Sequence, residues 1–158
     1  MKYFLLAICI ALIYSCNNSS TVQPSEDKTA IANSEALQML PALPEESRLS
    51  LLENTDYIDY IFYPYGKSIN QGDKKSIRQM IQQITDIQQP DVKCATPFCK
   101  ISFYKMPNIL FETEVHYGNG CAYFVFHDAE GKPQYANRMG DFGVTFFNQV
   151  ITGFEGKK

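Results

Sequence analysis

Two histidines, a cysteine and two glutamates are the residues of this chain best suited to chemistry. They lie close together in the sequence, as Glu112, Glu114, His116, Cys121 and His127. Thiolate, imidazole and carboxylate groups are the ligands that a zinc ion takes in proteins, and a thiol beside an imidazole can act as a covalent nucleophile. Both kinds of site require the side chains to converge, so the local elements decide whether either can form.

The segment around these residues is predicted to be an antiparallel meander. Asn119-Gly120 is a strong hairpin signal, because a type I′ turn needs positive φ at both central residues. Strands are predicted over Cys99–Lys105, Ile109–Tyr117, Cys121–His127 and Gln134–Arg138. A further strand is predicted from Asp56 to Tyr63, where apolar and mixed positions alternate with period two.

Pairing Lys105 with Ile109 and Tyr117 with Ala122 divides the meander into two faces. One face is apolar and needs a helical cover; it carries Ile101, Phe103, Ile109, Phe111, Val115, Phe124 and Phe126. The opposite face is mixed and suits solvent or a partner; it carries Lys100, Tyr104, Glu112, Glu114, His116, Cys121, Tyr123 and His127.

The predicted strands do not bring the chemical groups to one point. Same-face neighbours along a strand are about 6.5–7 Å apart, so His116 can reach Cys121 diagonally, whereas His127 lies several positions away. Nothing near Cys121 is visibly built to activate its thiol. We therefore predict exposed hairpin residues here, with no catalytic residue, no metal site and no cofactor.

Apolar spacing predicts the helices that cover the apolar face. A short helix is expected over Ser34–Leu40, and a second begins after Pro44 and runs to about Asn54. The clearest helix follows Asp73 and places Ile77, Met80, Ile81, Ile84 and Ile87 on one stripe. The last runs from Asp141 to about Thr152, with Phe142, Phe146, Phe147, Val150 and Ile151 inward and Gly153 as its stop. The predicted fold is therefore α+β: an antiparallel β-meander of four to five strands packed on one face by two to three helices.

The N-terminal residues resemble the signal peptide of a bacterial lipoprotein. The apolar run from Phe4 to Ile13 follows Lys2 and is too short to span a bilayer, which takes roughly 20 residues. Ile13-Tyr14-Ser15-Cys16 is similar to a lipobox, with Tyr14 as its one unusual residue. The resemblance implies cleavage before Cys16, a lipid on the Cys16 sulfur, and attachment to a membrane outside the cytoplasm. The side expected is the periplasmic face of the outer membrane; the alternative is an ordinary secretory signal peptide cut nearby.

This interpretation divides the chain into a signal peptide at 1–15, a lipidated cysteine and polar tether at 16–33, and a single α+β domain at 34–158. The whole chain carries 14 basic and 17 acidic residues, a net charge of −3. No basic patch is present in the sequence, so nucleic acid is disfavoured as a partner.

Three cysteines remain in the predicted domain: Cys94, Cys99 and Cys121. An oxidising compartment favours disulfides, and three thiols allow one intramolecular pair. Cys99 and Cys121 are predicted on opposite faces, which opposes a bridge between them. Cys94–Cys99 is favoured over Cys94–Cys121, because the shorter loop closes more easily.

The chain is rich in aromatic residues, with ten Tyr and eleven Phe. They fit a Phe core with Tyr at its rim; they also fit a recognition surface, for which the candidates are Tyr57, Tyr63, Tyr65, Tyr104, His116 and Tyr123. Two segments, 56–62 and 120–126, look like pieces of small uncharacterised lipoproteins, a resemblance that implies no activity. The expected function is a membrane-tethered module that binds a protein, a peptide or a small ligand. A small extracytoplasmic hydrolase or thiol enzyme is the alternative.

Overall fold

The structure is a computed structural model that describes residues 39–89, 94 and 96–156. Within these residues the chain forms three α-helices: α1 Glu45–Asn54, α2 Lys74–Ile81 and α3 Asp141–Glu155. Over the same residues it forms seven strands: β1 Tyr57–Phe62, β2 Lys67–Gln71, β3 Ile84–Gln88, β4 Cys99–Lys105, β5 Asn108–Gly118, β6 Cys121–His127 and β7 Pro133–Met139. The predicted signal peptide, the tether with Cys16 and most of the helix predicted over Ser34–Leu40 lie outside the described residues.

All the strands pair antiparallel in one sheet, in the order β2-β1-β4-β5-β6-β7-β3. The predicted α+β class is confirmed, but the described part of the chain has more strands than the four to five predicted. The additional strands, β2 and β3, form the two edges of the sheet. The β2 sequence Lys-Ser-Ile-Asn-Gln has one apolar residue, so it carries no alternating pattern from which a strand could be predicted.

The long helix predicted after Asp73 is shorter than its apolar stripe. The carboxylate of Asp73 does cap it, accepting a hydrogen bond from the Ser76 amide at 2.9 Å, but the helix ends at Ile81. Ile84 and Ile87 belong to β3, where Ile84 pairs with Met139 of β7. A spacing of three fits a helix over a few residues, but the free edge of β7 offers these residues backbone partners that a helix would forgo.

The central meander has the predicted register. Tyr117 lies opposite Ala122, and the turn between them has positive φ at both Asn119 (52°) and Gly120 (87°). The β4–β5 turn is tighter than predicted, because Lys105 pairs with Asn108, and a bulge then restores the expected pairing of Phe103 with Phe111. Ile109 lies opposite Tyr104 as a result, and it is 52 % exposed, so its assignment to the apolar face was wrong.

The helices pack on one face of the sheet, as predicted. Their buried side chains join those of the sheet in one cluster that contains Leu51, Ile77, Met80, Ile81 and Phe147 from the helices and Ile58, Tyr60, Phe62, Ile101, Phe103, Val115, Phe124 and Phe126 from the strands. Ring contacts connect α3 to β1, with Phe62 and Phe154 centroids 5.3 Å apart. Two details of α3 were predicted wrongly: Phe142 is 46 % exposed, and the helix continues past Gly153 to Glu155.

Residues 40–43 cross the edge of β7 from one face of the sheet to the other. Leu40 packs against Cys121, Tyr123 and Val125 on the face away from the helices, whereas Leu43 belongs to the main core. The amide of Leu43 donates to Oδ1 of the buried Asn137 at 2.9 Å. The Pro41 carbonyl accepts a hydrogen bond at 2.9 Å from the backbone amide of Ala136, the residue before Asn137 in β7. The segment is thus held by hydrogen bonds at the point where it crosses.

A matched pair of substitutions tests the end of α2 and the position of β3. Ile84 is fully buried and Ile87 is 51 % exposed. We predict that Ile84→Ala lowers the free energy of unfolding by about 2–5 kcal/mol, because it leaves a cavity in the core. Ile87→Ala should change it by less than about 0.5 kcal/mol. Urea denaturation of both variants measures this, and equal losses would show that the two residues share one buried helical stripe after all.

Candidate functional site

The face of the sheet away from the helices holds nearly all the residues to which the sequence pointed, and we call it the outer face. Strand alternation places on it Tyr57, Asp59, Ile61, Lys100, Ser102, Tyr104, Glu112, Glu114, His116, Cys121, Tyr123, Val125 and His127. The mixed face predicted for the meander is therefore present. It is not uniform, because one half is covered by other parts of the chain and the other half is open.

The covered half consists of His116, Cys121, Tyr123 and Val125, all of them buried. Leu40 and Cys94 lie over it. The ring of His116 stacks parallel on that of Tyr123, with centroids 4.7 Å apart. The prediction that these residues are exposed was wrong, because two loops distant in sequence come to rest on them.

His116 is held in place as a neutral ring. Its Nδ1–H donates to the backbone carbonyl of Cys94 at 2.7 Å, and the carbonyl can only accept, which fixes the proton on Nδ1. Burial lowers the pKa of His116, and the Cys94 carbonyl and the charge of Glu114 oppose this only in part. The residue therefore ties the Cys94 loop to the sheet, and it is buried there.

Cys94 and Cys121 lie at disulfide-bonding distance, with Cα atoms 6.5 Å apart. The preference for Cys94–Cys99 was therefore wrong. Cys99 is fully buried on the helix-facing side, whereas the loop that carries Cys94 lies against the outer face. Side-chain direction outweighs loop length here, because a bridge requires both Cβ atoms to point toward each other. The same argument explains why Cys99 and Cys121 do not pair.

The described residues support neither a zinc site nor a reactive thiol on this face. Cys121 is paired with Cys94, and burial raises the pKa of Cys99 far above its ordinary value, so neither supplies a ready thiolate. His127 lies beside Glu114, with Nε2 and Oε2 3.6 Å apart. Over residues 39–89, 94 and 96–156, no group of three or more His, Cys, Asp or Glu side chains is gathered as a metal ion requires.

The open half contains a solvent-open groove of about 620 Å³ that runs along β5. Its walls come from β4, β5 and the β6–β7 turn, with Tyr63 at one end. The lining residues are Tyr63, Lys100, Ile109, Leu110, Phe111, Glu112, Thr113, Glu114, His127, Asp128, Ala129 and Gly131. The β5 bulge pairs Ile109 with Tyr104, which explains why Ile109 lines the groove and is not on the apolar face.

Two carboxylates of the groove are hydrogen bonded within the chain. Glu112 Oε1 accepts from Lys100 Nζ at 2.8 Å and from Ser102 Oγ at 2.9 Å. Burial raises the pKa of Glu112, but these two bonds outweigh it and the net pKa is lowered. Asp128 accepts from the backbone amides of Glu130 at 3.1 Å and Lys132 at 2.7 Å. Glu114 lies directly opposite Lys100 in the β4–β5 register, and its Oε2 is 3.6 Å from Nε2 of His127.

The six residues predicted as a recognition surface lie in three places. Tyr57, Tyr63 and Tyr104 belong to the open half or its margin, and the rings of Tyr57 and Tyr104 meet edge to face at 5.8 Å. His116 and Tyr123 lie in the covered half. Tyr65 packs on Phe154 of α3 and donates to Glu155, on the helical side of the sheet.

Sequence reasoning missed three contributors to the open half: Ile61, Met106 and Ile109, all large, apolar and exposed. The alternation of β1 already placed Ile61 opposite the core positions of its strand, and that signal could have identified it. Met106 and Ile109 were missed because the β4–β5 turn is tighter than the three-residue loop predicted from the sequence.

Comparison of the chain with protein-family models, with curated proteins and with solved structures finds no match. In the part of the chain that the structure describes, no helix is both long and apolar enough to cross a membrane. A function can therefore be inferred only from the outer face and from the N-terminal sequence.

The disulfide gives a direct test of the outer face. We predict that non-reducing peptide mapping joins the Cys94 and Cys121 peptides, since both residues lie on the same side of the sheet. Cys99 should react with a thiol reagent only after unfolding, because it is buried and its pKa is raised. A Cys94–Cys99 peptide, or rapid labelling of Cys99 in the folded protein, would contradict the placement of the Cys94 loop.

Proposed function

We propose that this protein is a lipid-anchored binding module that acts outside the cytoplasm, and that the open half of its outer face is the binding surface. Two observations from different parts of the chain support the location. The N-terminal residues resemble a lipoprotein signal peptide ending at Cys16, and the Cys94–Cys121 pair suits an oxidising compartment.

The anchor follows from the chemistry expected at Cys16. Acyl chains contribute about 0.8 kcal/mol per buried CH₂ group, and stable attachment takes two signals such as two chains. The polar residues after Cys16 then connect the lipid to the domain. We place the protein on the periplasmic face of the outer membrane, with a protein, a peptide or a small molecule as its partner. A net charge of −3 argues against nucleic acid.

The binding role rests on the contrast between the two halves of the outer face. Its apolar residues on β6, Tyr123 and Val125, are covered by Leu40 and Cys94, so the chain does bury apolar surface on this side. Ile61, Tyr63 and Ile109 nevertheless stay 42–52 % exposed around a charged groove. Large exposed apolar side chains next to polar groups are characteristic of interaction surfaces. This contrast is the observation that carries the proposal.

Site-specific photocrosslinking in the native membrane tests both parts of the proposal. A photoreactive residue at Ile109 should give a discrete adduct in the membrane fraction. The matched control is Phe142, which is similarly exposed, at 46 %, but lies on α3; it should give no such adduct. Cys16→Ser should remove the protein from the membrane fraction, because the lipid would be lost.

Two results would contradict the proposal. Equal adducts from Ile109 and Phe142, or none from either, would show that the open half is not a specific binding surface. A mature chain that begins at a residue other than Cys16 and carries no lipid, measured by intact mass, would remove the anchor.

A further inference from the structure

The charged side chains of the groove are paired with one another, and they remain within reach of a ligand. Lys100 Nζ lies 2.8 Å from Glu112 Oε1, and Glu114 Oε2 lies 3.6 Å from His127 Nε2. Between 24 and 42 % of each of these four side chains is exposed. Lys100 also lies opposite Glu114 in the β4–β5 register, so the two pairs are neighbours. The groove therefore presents hydrogen-bond donors and acceptors side by side.

This pairing favours a neutral ligand over a charged one. An anion would meet three carboxylates, those of Glu112, Glu114 and Asp128. A cation would meet the ammonium group of Lys100, which already bonds to Glu112. A neutral hydroxyl group can join the network without breaking it, because it donates to a carboxylate and accepts from an ammonium group at the same time. Hydrogen bonds to charged groups are shorter and stronger than those between neutral groups.

The groove also has apolar walls. Tyr63 and Ile109 line it and are 45 % and 52 % exposed. A sugar ring carries C–H bonds on its faces and hydroxyl groups around its rim, so its faces can cover apolar side chains while its hydroxyl groups reach the charged ones. The negative face of an aromatic ring attracts such C–H groups. The groove volume of about 620 Å³ is within the usual range of small-molecule sites.

The strands beneath the groove argue against a peptide that binds by strand addition. β4 pairs with β1 and β5, and β5 pairs with β4 and β6, so both strands have a neighbour on each side. A peptide that extends a sheet needs an exposed edge strand. The polar contacts of the groove come instead from the ends of side chains, which suit hydroxyl groups.

We infer that the groove binds a neutral oligosaccharide. Its hydroxyl groups bond to the Lys100–Glu112 and Glu114–His127 pairs, and the face of one sugar ring packs on Tyr63. Because the groove is open to solvent and runs along β5, successive rings of a saccharide chain can lie in it. This inference rests on the proposed function and specifies the class of ligand that its binding surface takes.

NMR titration of the purified full chain with chitotriose, a neutral trisaccharide, tests the inference. At about 0.15 M salt, the sugar should shift the backbone amide signals of residues 109–114 and 127–131 and leave those of α3 unchanged. N-acetylglucosamine, the single ring, should bind at least about tenfold more weakly, because it makes fewer contacts. A blocked triserine peptide, which carries hydroxyl groups on a peptide backbone, should also bind at least about tenfold more weakly. Triglucosamine, the cationic counterpart of chitotriose, should bind no more tightly than chitotriose.

Two matched pairs of variants assign the binding to the groove. Tyr63 lines the groove, whereas Tyr65, two residues later, packs on Phe154 on the helical side. Tyr63→Ala should weaken chitotriose binding about fivefold through the loss of one aromatic contact, and Tyr65→Ala should leave it unchanged. Glu114→Gln should also weaken binding, because an amide is a poorer acceptor than a carboxylate, whereas Glu130→Gln, outside the groove lining, should not. Thermal unfolding of each variant verifies that it is folded.

Any of four results would overturn the inference: no chitotriose-dependent shifts along the groove, binding of the single ring or of the triserine peptide as tight as that of chitotriose, tighter binding of triglucosamine, or equal losses within a matched pair of variants. Tighter binding of triglucosamine would make the groove a site for cations. An Ile109 adduct in membranes together with any of these results would leave the binding module standing and remove only the saccharide. Absence of that adduct would instead count against the proposed function itself.

Discussion

Asn137 of β7 is fully buried, and both ends of its side-chain amide are hydrogen bonded. Oδ1 accepts from the Leu43 amide at 2.9 Å, and Nδ2 donates to the Thr85 carbonyl at 2.7 Å. These bonds hold residues 40–43 and strand β3 against the edge of β7. Regular pairing is interrupted at this edge, because the β3–β7 register shifts between Ile84 and Gln88. A buried amide left without partners costs about 1–3 kcal/mol, so the edge strand and the crossing segment depend on the same residue.

The position of residues 40–43 in turn determines which part of the outer face is closed. Leu43 is fixed on the core side, and Leu40, three residues earlier, covers Tyr123 and Val125 on the outer face together with Cys94. The Cys94–Cys121 pair and the bond from His116 to the Cys94 carbonyl hold the second cover in place. The open half is what these two covers leave, and its groove lies where β5 bulges beside the β6–β7 turn.

The central meander could be predicted because its signals are local. Asn119-Gly120 determines one turn, and the alternation of Phe124 and Phe126 with Tyr123 and Val125 assigns the faces of β6. The edge strands could not be predicted in this way, because β2 is mostly polar and the β3 isoleucines fit a helical stripe as well as a strand. Both strands form because a neighbouring strand offers unpaired backbone groups, which is a property of the assembled sheet.

The candidate site was predictable only in part, for the same reason. The residues of the mixed face were identified from alternation, but whether each one is exposed depends on distant segments. Tyr123 looks like a surface residue in its own strand, and it is buried by Leu40, far away in the sequence. Glu112 and Asp128 look alike as acids in the sequence, and only the structure shows that Lys100 pairs with Glu112 whereas turn amides bond to Asp128.

The central claim is that the outer face is divided into a covered half and an open half, and hydroxyl-radical footprinting of the folded full chain tests it most directly. Residue-level mass spectrometry should show rapid oxidation of Tyr63 and Ile109 and strong protection of Tyr123 and His116, residues of comparable or greater intrinsic reactivity. The protection should disappear when the protein is unfolded. Equal oxidation of Tyr63 and Tyr123 in the folded protein would contradict the account, because the outer face would then be uniformly open and nothing would set the groove apart.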